Sequence, residues 1–245
     1  MKKSRYFFFF VVLSAVASLQ PMMAQSLSQR ASQFYQRHEW PSALAAYETL
    51  FHENPGVAEN YIRATVAALM QNNKERAMKI GSIALNHHIS IDSLFTGVRN
   101  QTITLEQNSM YEAYLIEMKR EHSWLSRSVD QYLLSYYVFR DNPAMIVKTA
   151  NELLKHSPDN IVFLEALAQG YLKGGDISGS MKVYENILEK DSENLTALLY
   201  LANYYYDGWN SGEKSMYGKA VDYVKRASQI ELTPRLSTML KTLGS

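Results

Sequence analysis

The sequence contains no cysteine, and this absence excludes thiol catalysis, disulfides and a lipid-modified cysteine behind a leader. Neither sign of charge is in clear excess: the chain has 25 Lys and Arg and 24 Asp and Glu, for a net charge of +1. That balance argues against the basic footprint of a nucleic-acid-binding protein. Only six prolines occur, and 47% of the residues are hydrophobic, which is typical of a folded chain.

Groupings that would support catalysis or metal binding are scarce as well. The six histidines include no pair spaced i, i+4 and no H-E-x-x-H motif. His87 and His88 are adjacent, so their side chains point apart on a helix and cannot share a metal. The glycine-rich stretch 174–180 lacks the lysine of a P-loop and is interpreted as a turn. We therefore predict no catalytic residues, no metal site, no cofactor and no enzyme activity.

The first residues have the three parts of a secretory signal peptide. Lys2, Lys3 and Arg5 supply the positive charge, Tyr6 begins an apolar stretch that runs to residue 19, and Ala24 is the expected last residue before cleavage. A retained anchor is the alternative, although the apolar stretch is shorter than the ~20 residues that cross a bilayer. No later segment is apolar enough to span a membrane. The prediction is an exported protein, periplasmic or secreted, with a signal peptide at 1–24.

A 34-residue period dominates the rest of the chain. One position near the start of each repeat, which we call the anchor, is occupied by Leu27, Tyr61, Asp130, Leu164 and Leu198. Their steps are 34, 69, 34 and 34 residues, and 69 is two periods plus one, so a further, faded repeat is expected near Phe95. The spacing within repeats is regular too, because a small residue follows 16 positions after the anchor at Ala43, Ala77 and Ser180.

Within each repeat, apolar, small and aromatic residues recur in a fixed order. The first helix carries large apolar, large apolar, small and aromatic residues at Leu164, Leu167, Ala168 and Tyr171, and again at Leu198, Leu201, Ala202 and Tyr205. The second helix carries Ala43, Tyr47, Leu50 and Pro55 in the first repeat. Small residues let two helices approach closely, and one helix pair cannot bury its apolar stripe without its neighbours.

This period and this order resemble the tetratricopeptide repeat (TPR) family across roughly residues 25 to 232, as found in exported bacterial TPR proteins. The resemblance implies an all-α fold: a right-handed superhelical solenoid of about five to six helix–turn–helix units with a C-terminal capping helix. Repeats 1 and 2 would occupy 25–88, repeats 4 to 6 would occupy 126–232, and the capping helix would occupy 233–245.

Two segments depart from the pattern. Residues 89–125 form a degenerate repeat or an irregular connector, because 89–108 is rich in β-branched residues, which are weak helix formers. A short or irregular first helix is expected there, with a partner-binding loop or a linker as alternatives. The second departure is 207–218, where the turn is lengthened as in the Sel-type variant of the TPR. Trp209 would lie either in that turn or at an exposed, partner-binding tip.

The resemblance implies a scaffold or adaptor that binds a protein or peptide client in a concave groove lined by first helices. The family's spacing, carried onto this chain, predicts the groove residues Tyr35, Arg63, Gln131, Ser135, Glu165, Gln169, Asn203 and Tyr206, with Trp209 at the rim. The alternative is a structural subunit of an envelope or secretion assembly. The pattern names neither the client nor an oligomeric state.

Overall fold

A computed structural model describes residues 26–244, in which thirteen α-helices, two short 3₁₀ helices and no strand occur. The predicted signal peptide lies outside the described residues. The chain divides into two compact units, Met1–Tyr114 and Leu115–Ser245. We call them the N-terminal unit and the C-terminal unit and describe each by itself.

The N-terminal unit consists of helices that pack as successive antiparallel pairs. They are α1 Leu27–Gln36, α2 Trp40–Glu53, α3 Ala58–Met70, α4 Lys74–Asn86, α5 Ile91–Thr104 and the first half of α6, Asn108–Glu121. Ala31, Ala43 and Ala64 are fully buried, which lets neighbouring helices approach closely.

The C-terminal unit contains the remaining helices in the same paired order. They are the end of α6, α7 Ser126–Phe139, α8 Pro143–His156, α9 Ile161–Lys173, α10 Ile177–Lys190, α11 Leu195–Asn210, α12 Tyr217–Ile230 and α13 Pro234–Leu243. Side-chain oxygens of Asn142, Asn160, Asp176 and Asn194 accept hydrogen bonds from the first turns of α8, α9, α10 and α11. These caps fix where each helix begins.

The turn inside each of the six pairs contains one residue in the left-handed region. These residues are His38, Asn72, Glu106, Asp141, Gly175 and Gly212. Their steps are 34, 34, 35, 34 and 37 residues. The backbone therefore keeps the period that the sequence predicts, and the last step contains the lengthening that was expected at 207–218.

The third pair, α5 and α6, corrects the expectation of a short or irregular first helix. Helix α5 is 14 residues long, as long as α2. Leu94, Phe95 and Val98 lie on one side of it and are fully buried. Burial of this stripe outweighs the weak helix propensity of the β-branched residues.

The last pair corrects the prediction for Trp209. Helix α11 continues through Gly208 and Trp209, so neither residue lies in the turn. Trp209 is half-buried, with its ring centroid 5.9 Å from that of Tyr206 and 5.5 Å from that of Tyr217. A methionine, Met216, fills the space beside Gly208, where a Cβ would lie 3.3 Å from its Cε and closer to its sulfur.

Helix α13 closes the apolar cluster of the last pairs. Leu236 and Met239 are each 1% exposed, and Leu243 is 6% exposed. All three contact the cluster that contains Ala202 and Val224. This is the arrangement that a capping helix provides at the end of a repeat array.

Polar contacts join neighbouring pairs about one repeat apart. Lys173 contacts Asp141, Lys190 contacts Asp159, and Lys219 Nζ lies 3.2 Å from Glu185 Oε1. Their side chains are 29 to 76% exposed, so each contributes little to stability.

Among residues 26–244, none of the helices has both the length and the apolar character needed to cross a bilayer.

Candidate functional site

Six of the predicted groove residues lie on the first helices of three consecutive pairs in the C-terminal unit. We call this set the first-helix face: Gln131 and Ser135 on α7, Glu165 and Gln169 on α9, and Asn203 and Tyr206 on α11. The two residues on each helix are three or four positions apart, so each pair of residues shares one side of its helix.

The α7 part of the face is exposed and more apolar than predicted. Gln131 and Ser135 are both exposed. Beyond them, Val138 is 38% exposed and Phe139 is 52% exposed. Neither residue belongs to the predicted set, although the sequence contains a signal for both: they follow the pattern's aromatic position at Tyr137, where the family spacing no longer requires a buried residue.

On α9, Gln169 is exposed and Glu165 is half-buried. The Glu165 carboxylate accepts a hydrogen bond of 3.2 Å from Asn194 Nδ2, the residue that caps α11. Val162, one turn before Glu165, is 68% exposed and is also absent from the predicted set. A carboxylate, an amide and an apolar side chain therefore stand together on this helix.

On α11, the Asn203 amide is occupied within the protein. Its Nδ2 donates to the carbonyl of Leu199 at 2.6 Å, and its Oδ1 accepts from Arg235 of α13. Arg235 Nη2 also donates to both carboxylate oxygens of Asp207, each at 3.2 Å. Asn203 therefore joins the capping helix to α11. Tyr206 remains half-buried beside Trp209.

The other two predicted groove residues, Tyr35 and Arg63, lie in the N-terminal unit. Tyr35 is only 7% exposed and its hydroxyl donates to Gln101 Oε1 at 3.0 Å, which corrects its assignment to an open groove. Burial raises the pKa of the Tyr35 phenol. The guanidinium of Arg63 lies 5.3 Å from the Tyr35 ring centroid and donates to Tyr47 Oη at 2.9 Å and to Glu59. Arg63 is thus held in an internal cation–π cluster.

The exposed part of the first-helix face presents hydrogen-bonding groups and apolar surface. Gln131 and Gln169 each present a donor and an acceptor, and Phe139 and Val162 present apolar surface. Within residues 26–244, no three His, Asp or Glu side chains are close enough to hold a metal ion. Donors and acceptors beside apolar side chains are what an extended peptide requires.

Comparisons with known proteins identify the fold. No family model matches the sequence, and no curated protein matches it either. Solved structures do match, and several of them are TPR proteins. The C-terminal part of a TPR repeat-containing protein from Cytophaga hutchinsonii aligns with a TM-score of 0.50 and 12% identity, over 82% of this chain and 78% of that one.

Two further structures are similar at lower scores. YrrB, described as a TPR protein with an unusual peptide-binding site, aligns with a TM-score of 0.46 and 17% identity over 80% of this chain and 98% of its own. A TPR repeats protein from Bacteroides fragilis aligns with a TM-score of 0.40 and 15% identity over 89% of this chain and 96% of its own. The protein is an all-helical α-solenoid, as predicted from the sequence, and the likeness to the Cytophaga protein supports this assignment.

Proposed function

We propose that this protein is an exported TPR-type scaffold that binds a protein or peptide client on its first-helix face. The observation that carries the proposal is the row of exposed neutral polar side chains, Gln131, Ser135 and Gln169, on consecutive first helices. Phe139 and Val162 lie exposed on the same two helices. Large exposed apolar side chains among polar ones commonly mark interaction sites.

The chemistry of this face fits an uncharged stretch of peptide. Glutamine side chains can hydrogen-bond a peptide backbone, and Phe139 gives contact area that a peptide side chain can cover. Glu165 is already bonded to Asn194, and Arg235 is bonded to Asn203 and Asp207. The client's affinity should therefore change only modestly with salt, since screening acts mainly on exposed charges.

Export is a second part of the proposal and rests on the sequence. The charged start and the apolar stretch to residue 19 are typical of a secretory signal. Cleavage after Ala24 would change the net charge from +1 to −2, because it removes three positive charges and no negative ones. N-terminal sequencing of the mature chain from its host tests this. A mature chain that begins at Met1 and fractionates with membranes would contradict it.

The lengthened last turn further suggests that the final pair is of the Sel type.

The binding experiment begins with affinity copurification of the tagged mature chain from its native host, followed by mass spectrometry. The client so identified is then titrated against the triple variant Gln131→Ala, Phe139→Ala, Gln169→Ala. Since these side chains are exposed, helicity should be unchanged. We expect the client's affinity to fall about tenfold or more, because an aromatic anchor is lost.

The matched control is Lys182→Ala with Glu189→Ala, two exposed residues on the second helix α10. This control should bind the client as the parent does. If the triple variant binds at parental strength, the first-helix face is not the site. If instead the α10 control breaks copurification in a large complex, the protein is a structural subunit of an assembly and not an adaptor.

A further inference from the structure

Trp124 is the most exposed aromatic residue described and lies outside the first-helix face. It belongs to the 3₁₀ helix Ser123–Leu125, between α6 and α7, and is 64% exposed. The ring of His122 stands edge-on to it, with centroids 6.1 Å apart. Tryptophan is enriched among the residues that dominate protein interfaces, so an exposed one beside a cleft suggests a binding site.

The cleft beside Trp124 coincides with an irregularity in the repeat. The anchor position holds Tyr61, Leu164 or Leu198 in other pairs, and each is buried. In the fourth pair the anchor is Asp130, a smaller and polar side chain. A cleft of about 220 Å³ opens here, and its lining includes Trp124, Arg127, Asp130, Glu152 and His156.

The two carboxylates of the cleft are neutralised by lysines. Lys119 Nζ donates to both oxygens of Asp130, at 2.6 and 2.8 Å. Lys155 Nζ donates to Glu152 at 2.7 Å. The hydrogen bond from Lys155 and its charge hold the pKa of the Glu152 carboxyl below its usual range, and the charges of Lys119 and Lys148 add smaller contributions. Each carboxylate of the cleft is therefore paired with a lysine.

Two further cations lie at or beside the cleft, so that with Lys119 and Lys155 four cations stand against its two carboxylates. Arg127 lies in the lining and Lys148 lies one turn before Glu152; both are exposed. Arg127 uses its Nη2 to donate to the carbonyl of His156 at 3.2 Å and to Ser157 Oγ. Within residues 26–244, its Nε and Nη1 make no hydrogen bond and remain available to an incoming carboxylate.

We propose that this cleft is a docking site for an acidic segment of a partner protein. One apolar side chain of the segment packs against Trp124, and its carboxylates pair with Arg127 and Lys148. A polyanionic nucleic acid fits less well, because the balanced charge of the chain lacks the basic footprint of a nucleic-acid-binding protein. The site differs from the proposed client site: it is built from the 3₁₀ helix Ser123–Leu125, the start of α7 and the end of α8.

The experiment selects binders from a phage-displayed library of random dodecapeptides on the full mature chain. In parallel, the same library is selected on the Trp124→Ala variant. Because Trp124 is exposed, this variant should keep its helicity. We expect one class of peptides to appear only with the parent, to carry net negative charge, and to bind the variant about tenfold or more weakly.

Two more variants complete the design. Lys148→Glu should weaken the same peptides, whereas Phe139→Ala, on the first-helix face, should leave them unchanged. If Trp124→Ala is poorly folded, Asp130→Leu replaces it: leucine, the residue at the anchors Leu164 and Leu198, occupies the cleft and should also abolish binding. Peptides that lose binding only to the Phe139→Ala variant belong to the proposed client site, and their loss does not bear on this cleft.

The proposal is overturned if no peptide class depends on Trp124 or on the Asp130 position. It is also overturned if the dependent peptides are neutral or basic, or if Lys148→Glu leaves them unaffected. A labelled twelve-nucleotide thymidine oligonucleotide provides the last arm. If it binds more tightly than the selected peptides and loses that binding in Trp124→Ala, the site is for nucleic acid.

Discussion

Gly97 of α5 lies directly against Ile62 of α3, with no room between them for another side chain. A Cβ added to Gly97 would lie 2.9 Å from Ile62 Cγ1 and closer still to Cδ1. Ile62 is 5% exposed and so is confined on its other sides. The glycine within this segment is therefore a packing residue that brings α5 close to α3, and it does not break the helix.

The Gly97→Ala variant should consequently lose stability. Alanine gains ~1 kcal/mol in helix propensity over glycine, but overpacking a tight contact costs about 1–3 kcal/mol. We expect a net loss of the order of 1 kcal/mol, measured by urea unfolding monitored at 222 nm. Combining it with Ile62→Val, which removes the clashing Cδ1, should recover part of the loss as a favourable coupling energy.

Gly218 provides the matched control for this prediction. It lies in the first turn of α12, and a Cβ there would meet nothing within 4 Å. Gly218→Ala should raise the free energy of unfolding by up to about 1 kcal/mol. Equal stability changes for the two glycine variants would mean that the close approach of α5 to α3 is incorrect.

The sequence predicted the helix pairs because small and large apolar residues recur at a fixed period. Ala43, Tyr47 and Leu50 are buried, as the pattern requires. The sequence predicted a short or irregular α5, because the weak helix propensity of its residues was given more weight than the buried stripe that Leu94 and Val98 form. Propensity is a weak guide wherever tertiary burial competes with it.

Packing at Ala168 tests the assigned register of the fifth pair. Ala168 on α9 is fully buried in the cluster that also contains Tyr184 and Leu201. Ala168→Phe should overpack this cluster and cost about 1–3 kcal/mol. The neighbouring Gln169→Phe should change stability by less than about 0.5 kcal/mol, because Gln169 is exposed. Identical thermal unfolding of Ala168→Phe and the parent would refute the register.

The predicted groove set was only partly informative, and the reason is physical. Spacing tells which side of a helix a residue occupies, but not which partner reaches it from another element. Tyr35 is covered by its hydrogen bond to Gln101, and Asn203 is held by Arg235. Trp124 was not predicted as a binding residue, because it lies in a short connection that the repeat pattern does not cover.

The capping helix should contribute through its buried residues and not through its ion pair. Arg235 and Asp207 are 60% and 61% exposed, so their contact is worth roughly 0–1 kcal/mol. Leu236 is 1% exposed, and truncating a buried leucine costs about 2–5 kcal/mol. Leu236→Ala should therefore lower the unfolding free energy far more than Arg235→Ala does. Chemical unfolding of both variants measures this, and the reverse order would show that α13 is held by polar contacts.

Tyr184 should make the stability of the protein sensitive to alkaline pH. Burial, followed by the charges of Tyr200 and Glu165, raises the pKa of the Tyr184 phenol from 10.0 to about 12. Below pH 10 the phenol is neutral in both the folded and unfolded chains, and its stabilising contribution is fully present. Between pH 10 and about 12 only the unfolded chain releases the proton, so the free energy of unfolding falls as the pH rises.

The Tyr184→Phe variant isolates this contribution, because phenylalanine cannot ionise. We expect its unfolding free energy to decline less than that of the parent between pH 9.5 and pH 11.5, since each unit of pKa shift corresponds to about 1.4 kcal/mol. Urea unfolding followed by circular dichroism gives both declines, and absorbance at 295 nm records the phenolate directly. Part of the decline should remain, because burial also raises the pKa of Tyr114. Parallel declines in the two proteins would mean that the Tyr184 phenol is not buried against Tyr200.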